Sequence, residues 1–219
     1  MRSPYPKKKI DDYQSFLYPV EKKVYLNKPT EFSKDSFVDV ILSRRSEMPK
    51  TSLKSKELSD ILFLSNRIED VFSDELGFLH SYRVCPSGGA RHPIDILIYD
   101  YNSVDNVLSY YNPLDHTLNP LIVDTSTLES FVNEVKSNSD MSTGTLIWFA
   151  IQFGKTASKY ENPESLYWRD LGALLYSIQL VSTFYKCKSS PIGSLVPVSF
   201  YELMKSEKLI SGGGIILGH

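Results

Sequence analysis

The chain has 219 residues, of which 42% are hydrophobic and 23% are charged, and its formal net charge is −2. These values predict a sizeable buried core and argue against a nucleic-acid-binding surface, which needs clustered positive charge. No apolar run reaches membrane-spanning length, and the longest, around residues 146–151, has the length of a buried strand. We therefore expect one folded domain that binds neither nucleic acid nor membrane.

Two local features predict a cytoplasmic location. The basic cluster Lys7–Lys9 is not followed by the apolar stretch and small-residue cleavage site of a secretory signal. The two cysteines, Cys85 and Cys187, are too few for a disulfide framework or a metal-binding set, and the four histidines lack ligand spacing. We expect reduced thiols and no metal site.

The first third of the chain predicts an arm and two helices. Residues 1–34 mix charge, tyrosine and proline without periodicity, so we expect an N-terminal arm over the surface or over a partner subunit, followed by a domain at 35–219. A helix is predicted to begin at Asp35 or Ser36, with one apolar face: Phe37, Val40 and Ile41. A second helix follows Ser55, with apolar residues at helical spacing: Leu58, Ile61, Leu62 and Ile68.

The middle of the chain is predicted to be mainly strand. Ile94–Tyr99 has the β-branched content and length of a strand. Asn106–Asn112 and Thr117–Ile122 are predicted to form a hairpin that turns at Pro113–His116. Thr145–Phe153 is a continuous apolar run, which is typical of a strand buried on both faces.

Further helices complete the pattern. Ser126–Glu129 has capping-box spacing before a helix with an apolar face: Leu128, Phe131, Val132 and Val135. The longest helix is predicted to begin near Pro163 and carries a wide apolar stripe: Tyr167, Leu171, Leu174, Leu175, Ile178, Val181 and Tyr185. The last elements are predicted to be a loop at Ser189–Ser194, a helix cap at Ser199–Glu202 and a short strand at Gly212–Gly218. Because the hairpin favours antiparallel pairing, the interleaved pattern favours an α+β fold.

The loop before the first long strand, Cys85–Pro93, combines two prolines with Gly88 and Gly89. Glycine accepts positive φ and lets a flat ligand approach the backbone, while the prolines stiffen the loop. Ser87 and the neighbouring N–H groups are then available as donors. A Gly-Gly turn before a strand is more often a simple turn, so the rest of the chain decides its interpretation.

Several short segments, taken in chain order, resemble the nitroreductase-like flavoproteins. Among these they are most similar to the azoline dehydrogenases, which oxidise thiazolines and oxazolines to thiazoles and oxazoles in the biosynthesis of ribosomal peptide natural products such as bacteriocins. The order and spacing of the segments, from about Phe37 to the C-terminus, are more specific than any one of them. They are Arg44–Ser46, Leu58–Leu62, Pro86–Pro93, Tyr110–Pro113 with His116, Lys159–Tyr160, Tyr167–Gly172 and Pro191–Gly193.

The resemblance implies an antiparallel-centred sheet flanked by helices, with FMN at the interface of a homodimer and both subunits contributing to each flavin site. Arg44 and Ser46 would hold the flavin phosphate and ribityl chain, because paired guanidinium and hydroxyl donors suit a phosphate. Arg45 belongs to the same motif and is the one expected to face solvent. Basic residues at a helix end also complement the helix dipole, which is the simpler explanation.

Two loops are implied to contact the ring system. Pro86, Ser87, Gly88 and Gly89 would lie against the isoalloxazine or ribityl chain, with the backbone as donor. The Gly193 N–H would point at flavin N5 and Ile192 would pack on the ring face, although a turn with glycine at an element boundary explains this segment equally well.

Arg91 and His92 would contact flavin or substrate, or form the polar face before a strand. Among Tyr167, Arg169 and Asp170, an acid in the first helical turn and a surface Arg–Asp pair explain two residues without a role in the site. The resemblance gives the alternative that an aromatic–Arg pair here helps to shape the site.

The Lys159–Tyr160 pair would be catalytic by the same resemblance, although a Lys-Tyr dipeptide alone is usually a surface feature. Aromatising an azoline removes a proton from one ring carbon and a hydride from its neighbour. FMN takes the hydride, and a base must take the proton. A lysine, whose ordinary pKa is ~10.4, acts as that base only where burial or nearby positive charge lowers it. We expect Lys159 to be the base and Tyr160 to relay the proton or orient the substrate.

Three functions remain open. The first is an FMN-dependent azoline dehydrogenase that acts on a peptide cyclised by a partner cyclodehydratase. The second is a nitroreductase or quinone reductase that uses a nicotinamide donor. The third is a flavin-free scaffold in a peptide-modifying complex, because Met48 stands where relatives often have a basic residue, and near the C-terminus only Lys208 and His219 offer a basic phosphate ligand. Charge on a reduced flavin would then be met by Arg91 or by backbone dipoles.

Overall fold

The structure is a computed structural model that describes residues 2–30, 36–73, 79–139 and 142–219. The strands, in chain order, are β1 (Tyr5–Pro6), β2 (Val24–Tyr25), β3 (Ile68–Ser73), β4 (Leu79–Arg83), β5 (Ile94–Asp100), β6 (Leu108–Asn112), β7 (Thr117–Pro120), β8 (Thr145–Ile151), β9 (Tyr160–Glu161), β10 (Lys188–Ile192) and β11 (Ile210–Gly218). The helices are α1 (Phe37–Ser43), α2 (Ser55–Asn66), α3 (Thr125–Ser139), α4 (Phe153–Ala157), α5 (Glu164–Phe184) and α6 (Pro197–Met204).

A seven-stranded sheet in the order β10-β11-β8-β5-β6-β7-β2 organises the fold, and every neighbouring pair in it is antiparallel. Helices α3 and α6 pack against one face, and α2 and α5 pack against the other. The predicted α+β fold with an antiparallel-centred sheet is confirmed. The predicted hairpin is the β6–β7 pair, with slightly shorter strands.

Strand β8 shows why the sequence there is apolar at every position. Alternate side chains of β8 enter opposite cores, so that Trp148 packs with α3 and Phe149 packs with α5. Because helices cover both faces of the sheet, neither set of alternate residues meets water, and the whole strand is buried. The prediction of a doubly buried strand is confirmed, although the strand ends at Ile151.

The predicted helices form, with Ser36 as the N-cap of α1, where its hydroxyl accepts a hydrogen bond from Asp39 N at 3.2 Å. The alternative cap, Asp35, lies outside the described residues. Helix α5, with 21 residues, is the longest of the described helices, and four residues of its predicted stripe are buried: Tyr167, Leu171, Leu174 and Ile178. None of the described helices combines the length and apolarity that a bilayer-spanning helix needs. Both cysteines are free and buried.

One predicted element boundary is wrong around Ile68. This residue continues the helical spacing of α2, but the helix ends at Asn66 and Ile68 begins β3, which pairs with β4. Arg67 takes extended backbone angles at this junction and so redirects the chain. The β3–β4 hairpin has no counterpart in the predictions, because the apolar residues of its first strand fit the helical period as well as the strand period.

Three predicted local features are also wrong. Ser126 lies inside α3, which is capped by Asp124, whose Oδ1 accepts from Thr127 N at 3.0 Å. Ser199 lies inside α6, because Pro197 already suits the first helical position. The predicted loop at Ser189–Ser194 is largely strand β10, which pairs with β11.

The N-terminal arm lies along its own chain. β1 pairs with β9, and β2 adds the edge strand next to β7. Gln152, at the end of β8, holds the segment between them, since its Oε1 accepts from Phe16 N at 2.8 Å and from Tyr13 Oη at 3.1 Å. The arm is therefore attached at both the sheet edge and the segment after β8.

Candidate active site

The Gly-Gly loop forms one 3-10 turn, Gly88–Ala90, between β4 and β5. Gly89 has φ 65°, in the left-handed region that glycine tolerates best, and Ala90 N donates to Ser87 O at 3.1 Å. The hydroxyl of Ser87 accepts from His92 N at 2.8 Å, which ties the two ends of the turn together. The turn is thus internally braced, as the bracketing prolines predicted.

Asp170, in α5, anchors this turn to the longest helix. Its carboxylate accepts from Ser87 Oγ at 2.6 Å and from Gly88 N at 3.1 Å. Burial raises the pKa of Asp170 above its ordinary value, although these two hydrogen bonds oppose the rise. The expectation of an Arg169–Asp170 surface pair is wrong, because Asp170 is buried and Arg169 donates to Ser165 O instead.

Lys159 and Tyr160 lie over the same turn. Lys159 Nζ is 3.4 Å from Gly89 O. A Cβ added to Gly89 would lie 2.6 Å from Tyr160 Oη and 3.0 Å from Lys159 Nζ, so the absence of a side chain lets both of these side-chain ends lie close to the backbone. The structure therefore brings together Ser87, Gly88 and Gly89 with the two residues that the resemblance assigns to catalysis.

The segment that carries Lys159 is held from two sides. On one side the arm pairs with it, since Lys7 N donates to Lys159 O at 2.9 Å and Asp11 N to Ser158 O at 2.8 Å. On the other side Arg91 donates through Nε to Lys155 O at 2.7 Å and through Nη2 to Ser158 Oγ at 2.8 Å. Arg91, which is half-buried, thus braces the end of α4.

Ile192 and Gly193 lie at the end of the sheet where the turn is found. Gly214 of β11 pairs with Ile192 of β10 on one side and with Trp148 of β8 on the other. Trp148 lies three residues before the end of β8, and the chain continues from that end to Lys159. The Ile192 side chain is buried in the core under α3 and α6, whereas Gly193 is exposed. An added Cβ at Gly193 would meet nothing within 4 Å, so the open side of this segment is the Gly193 backbone.

The Arg44–Ser46 segment lies farther along β10, because Glu47 N donates to Ser189 O at 2.8 Å. Ser189 and Ile192 are three positions apart in the strand, which corresponds to roughly 10 Å. Arg45 donates through Nη1 to Leu42 O at 3.0 Å. Within the described ranges the side chains of Arg44 and Ser46 make no hydrogen bond or ion pair, and Ser46 is exposed. Within the described ranges no hydrogen bond joins this segment to the Gly88–Ala90 turn of the same chain.

Pro86 is exposed and precedes the turn, where it stiffens the approach from β4. The residue that sequence reasoning undervalued is Asp170. It lies 83 residues from Ser87, so no local pattern connects them. One signal is available in the sequence. The hydroxyl and N–H groups of a Ser-Gly-Gly turn need a hydrogen-bond acceptor, and an acidic residue near the start of a long amphipathic helix can supply it.

In chemical terms the site is an amine and a phenol held over a half-buried backbone turn. The amine can accept or donate a proton and the phenol can donate a hydrogen bond. The space beside the two glycines is taken by protein side chains, Leu166 at Gly88 and Tyr160 with Lys159 at Gly89. The Asp170 carboxylate is engaged by Ser87 and Gly88, and the Lys159 amine contacts the backbone at Gly89 O.

Comparison with known proteins agrees with this fold. No family model matches the sequence, and no curated protein matches it. Among solved structures, a nitroreductase-like protein from Ralstonia eutropha JMP134 is 16% identical, with 96% of this chain and 97% of that chain covered and a TM-score of 0.68. A chain of the E. coli microcin synthetase McbBCD complex with truncated pro-MccB17 bound is 18% identical, with coverage of 91% and 79% and a TM-score of 0.64.

A third structure carries the cofactor that the resemblance implies. A nitroreductase-like protein from Desulfovibrio desulfuricans, in complex with FMN, is 12% identical, with coverage of 85% and 87% and a TM-score of 0.51. At these identities the likeness concerns the fold. The protein described here has the nitroreductase fold, shared with nitroreductase-like proteins and with a subunit of a microcin synthetase complex.

Proposed function

We propose that the protein is an FMN-dependent oxidoreductase that oxidises thiazoline or oxazoline rings of a peptide to thiazoles or oxazoles. It would act in the cytoplasm as a homodimer and take its substrate from a partner cyclodehydratase. The observation that carries this proposal is the Lys159 amine, 3.4 Å from Gly89 O and beside Tyr160 over the turn. The similarity to a chain of a microcin synthetase complex supports a peptide as the substrate.

Several residues of the chain fit FMN. Arg44 and Ser46 offer a guanidinium and a hydroxyl that nothing in the described ranges engages, and such donors suit a phosphate. At Gly193 the space that a Cβ would fill is open, which allows a flat ring to approach the backbone. Ser87 and Gly88 keep the turn in place through Asp170, so the backbone of Gly89 is presented without rearrangement.

When bound, FMN supplies an acceptor for the hydride that leaves one ring carbon of the azoline. The proton on the neighbouring carbon passes to the Lys159 amine in its neutral form, and the ring becomes aromatic as its C–H electrons form the new double bond. Tyr160 donates a hydrogen bond that orients the ring or relays the proton. Arg91 and the arm position Lys159 by holding the backbone on either side of it.

The exposed apolar surface around α1 suits contact with a second copy of the chain. In α1 three large apolar side chains are highly exposed: Phe37 at 70%, Val38 at 61% and Leu42 at 67%. Helices α1, α2 and α5 enclose an apolar groove beside Phe37 that includes Leu180 and Phe184. Exposed apolar surface of this kind marks an interface. Pairing through this face would bring Arg44–Ser46, which directly follows α1, to the subunit boundary.

The test is to purify the protein, saturate it with FMN and supply a peptide that carries a preformed azoline. The proposal predicts a yellow protein that removes two hydrogens from each ring, as read by mass spectrometry, with oxygen as the oxidant of the reduced flavin. Failure to take up FMN would favour the scaffold function, for which Met48 is the motivating residue. Uptake of FMN without azole formation would exclude the dehydrogenase.

A nicotinamide-dependent nitroreductase is the second candidate. Its support is the likeness to a nitroreductase-like protein over nearly the whole length of both chains. Rapid anaerobic bleaching of bound flavin by NADH or NADPH, together with reduction of a nitroaromatic, would establish this function. Bleaching by the azoline peptide and not by nicotinamides would exclude it.

A further inference from the structure

Three side chains of the types that bind metal ions converge where β10 begins and β11 ends. One carboxylate oxygen of Glu57, the sulfur of Cys187 and one ring nitrogen of His219 all lie within 4.8 Å of one another. We call these three residues the Glu-Cys-His cluster. The sequence-based expectation of no metal site rested on ligand spacing, and these residues come from three separate parts of the chain.

The register of the sheet brings two members of the cluster together. Lys188 of β10 pairs with Gly218 of β11, so the residues beside this pair, Cys187 and His219, are neighbours across the same two strands. Leu217 lies in the core under α2 and α5, and Cys187 lies in that core as well. Because side chains alternate along a strand, His219, two residues after Leu217, is directed to the same face. The sulfur and the imidazole therefore meet on the face that α2 covers.

Helix α2 supplies the third member, and the backbone holds the group in place. Glu57 lies in the first turn of α2, and its Oε2 accepts from Lys54 N at 2.9 Å and from His219 Nε2 at 3.0 Å. The backbone of His219 is fixed by Thr51, whose N–H donates to His219 O at 3.2 Å and whose carbonyl accepts from His219 N at 3.1 Å. The carboxylate and the imidazole are thus positioned before any ion binds.

The chemistry of the three atoms matches zinc. Zinc takes sulfur, nitrogen and oxygen ligands in a tetrahedron with bonds of about 2.0–2.3 Å, which places neighbouring ligand atoms about 3.3–3.6 Å apart. The 3.0 Å between His219 Nε2 and Glu57 Oε2 and the 4.8 Å that contains the whole cluster lie on either side of this range. Calcium and magnesium prefer oxygen ligands alone, so the sulfur of Cys187 disfavours them.

The charges of a zinc complex balance at this position. Cys187 binds as a thiolate and releases its proton to the solvent, Glu57 binds as a carboxylate, and His219 binds as a neutral imidazole. Two negative charges then meet the two positive charges of the ion beside a sulfur in a residue that is only 7% exposed. Lys54 Nζ is 3.9 Å from Glu57 Oε1, but its side chain is 80% exposed, so water screens its charge. A phosphate at His219 would be repelled by Glu57.

We propose that the Glu-Cys-His cluster is a zinc site, with Glu57, Cys187 and His219 as the protein ligands and water as the fourth ligand. The His219 side chain is 38% exposed, which gives the ion access and leaves a position for the water. Bound zinc would join the start of α2 to the β10–β11 pair and so clamp three distant parts of the chain. This proposal stands independently of the flavin chemistry.

The test uses the full chain without an affinity tag, freed of metal and then titrated with Zn²⁺ against a chromogenic chelator. We expect one zinc ion per chain with a Kd of about 1 µM or tighter. Each ligand variant, Cys187→Ser, His219→Gln or Glu57→Gln, should weaken zinc binding by at least about a hundredfold, because it removes a ligand. The control variants Cys85→Ser, at the other buried free thiol, and Glu69→Gln, at an exposed acid, should leave the affinity unchanged.

Two further readouts separate loss of a ligand from misfolding. Cobalt bound to a thiolate absorbs in the near ultraviolet by charge transfer, so Co²⁺ should produce this band in the wild type and in Cys85→Ser but not in Cys187→Ser. Glu57→His replaces the carboxylate with another zinc ligand. It should therefore retain the zinc binding that Glu57→Gln loses.

Zinc that binds only the folded chain should also raise the Tm of the wild type and not that of Cys187→Ser. Absence of zinc binding by the wild type, or an unchanged Tm at saturating zinc, would overturn the proposal. Zinc affinity that stays unchanged in Cys187→Ser, His219→Gln or Glu57→Gln would overturn it as well, because the chain would then hold an adventitious ion only.

Discussion

Asp170 in α5 accepts a hydrogen bond from Ser87 Oγ at 2.6 Å, which joins the longest helix to a turn 83 residues earlier in the chain. The same carboxylate accepts from Gly88 N at 3.1 Å. The Gly88–Ala90 turn is therefore more than a connection between β4 and β5. Its position is set by α5, and Lys159 and Tyr160 are placed against it.

Removing the Asp170 carboxylate should loosen this turn. We expect Asp170→Ala to lower the free energy of unfolding by about 1–3 kcal/mol, because the Ser87 hydroxyl and the Gly88 N–H lose their acceptor. Denaturant unfolding measures the change. The control is Arg169→Ala, at the exposed neighbouring position, which should stay within about 0.5 kcal/mol of the wild type. Equal stability of the two variants would contradict the anchoring role.

Adding one methyl group at Gly89 should disturb the candidate site. In Gly89→Ala the new Cβ would lie 2.6 Å from Tyr160 Oη, at a φ of 65° that disfavours alanine. We expect activity to fall by roughly tenfold or more as Lys159 and Tyr160 are displaced by about an ångström. Gly172→Ala is the matched control: its Cβ meets nothing within 4 Å, and alanine favours the helix. A fully active Gly89→Ala enzyme would be inconsistent with this geometry.

The arm should protect the segment that carries Lys159. Lys7→Pro removes the N–H that donates to Lys159 O at 2.9 Å, whereas Lys7→Ala keeps this N–H and removes only the exposed ion pair with Asp11. Hydrogen exchange of residues 155–163 should accelerate in Lys7→Pro and not in Lys7→Ala. Similar exchange in the two variants would show that the arm does not hold this segment.

His92 should make the fold sensitive to mild acid. Burial, reinforced by the charge of Arg83, lowers the pKa of His92 from 6.5 to about 4. The unfolded chain therefore binds this proton first as the pH falls. Above pH 6.5 neutral His92 makes its full contribution to the free energy of unfolding. As the pH falls from 6.5 toward 4, the free energy of unfolding decreases by up to ~3 kcal/mol.

His92→Gln provides the comparison, because glutamine keeps a donor for Ser81 O, which His92 Nε2 contacts at 2.8 Å. Denaturant unfolding at neutral pH and near pH 4.5 should show a smaller loss of stability in this variant than in the wild type. The same loss in both proteins would assign the acid sensitivity to other groups.

The long periodic elements were predictable from the sequence, and the short ones were not. The apolar run of β8 and the stripe of α5 leave few alternatives, because only a doubly covered strand and a central helix bury them. The β3 strand was missed because Ile68 continues the spacing of α2, and the strand character of β10 depends on its pairing with β11. Pairing across the chain has no local signal.

The candidate site shows the same division. The Ser-Gly-Gly turn and the Lys159–Tyr160 pair are visible as short segments, and the resemblance connects them. That Asp170 anchors the turn, and that Glu57, Cys187 and His219 converge, depends on contacts between distant elements. Such contacts follow from the packing of the sheet and not from any spacing in the sequence.

The proposed reaction depends most on Lys159, the group that takes the proton. The direct measurement is the rate of azole formation by Lys159→Met at matched FMN content, with the exposed Lys22→Met variant as the control. We predict that Lys159→Met keeps bound FMN and loses azole formation by at least about a hundredfold, which is the scale of general-base catalysis. Azole formation at the wild-type rate in Lys159→Met would contradict the assignment.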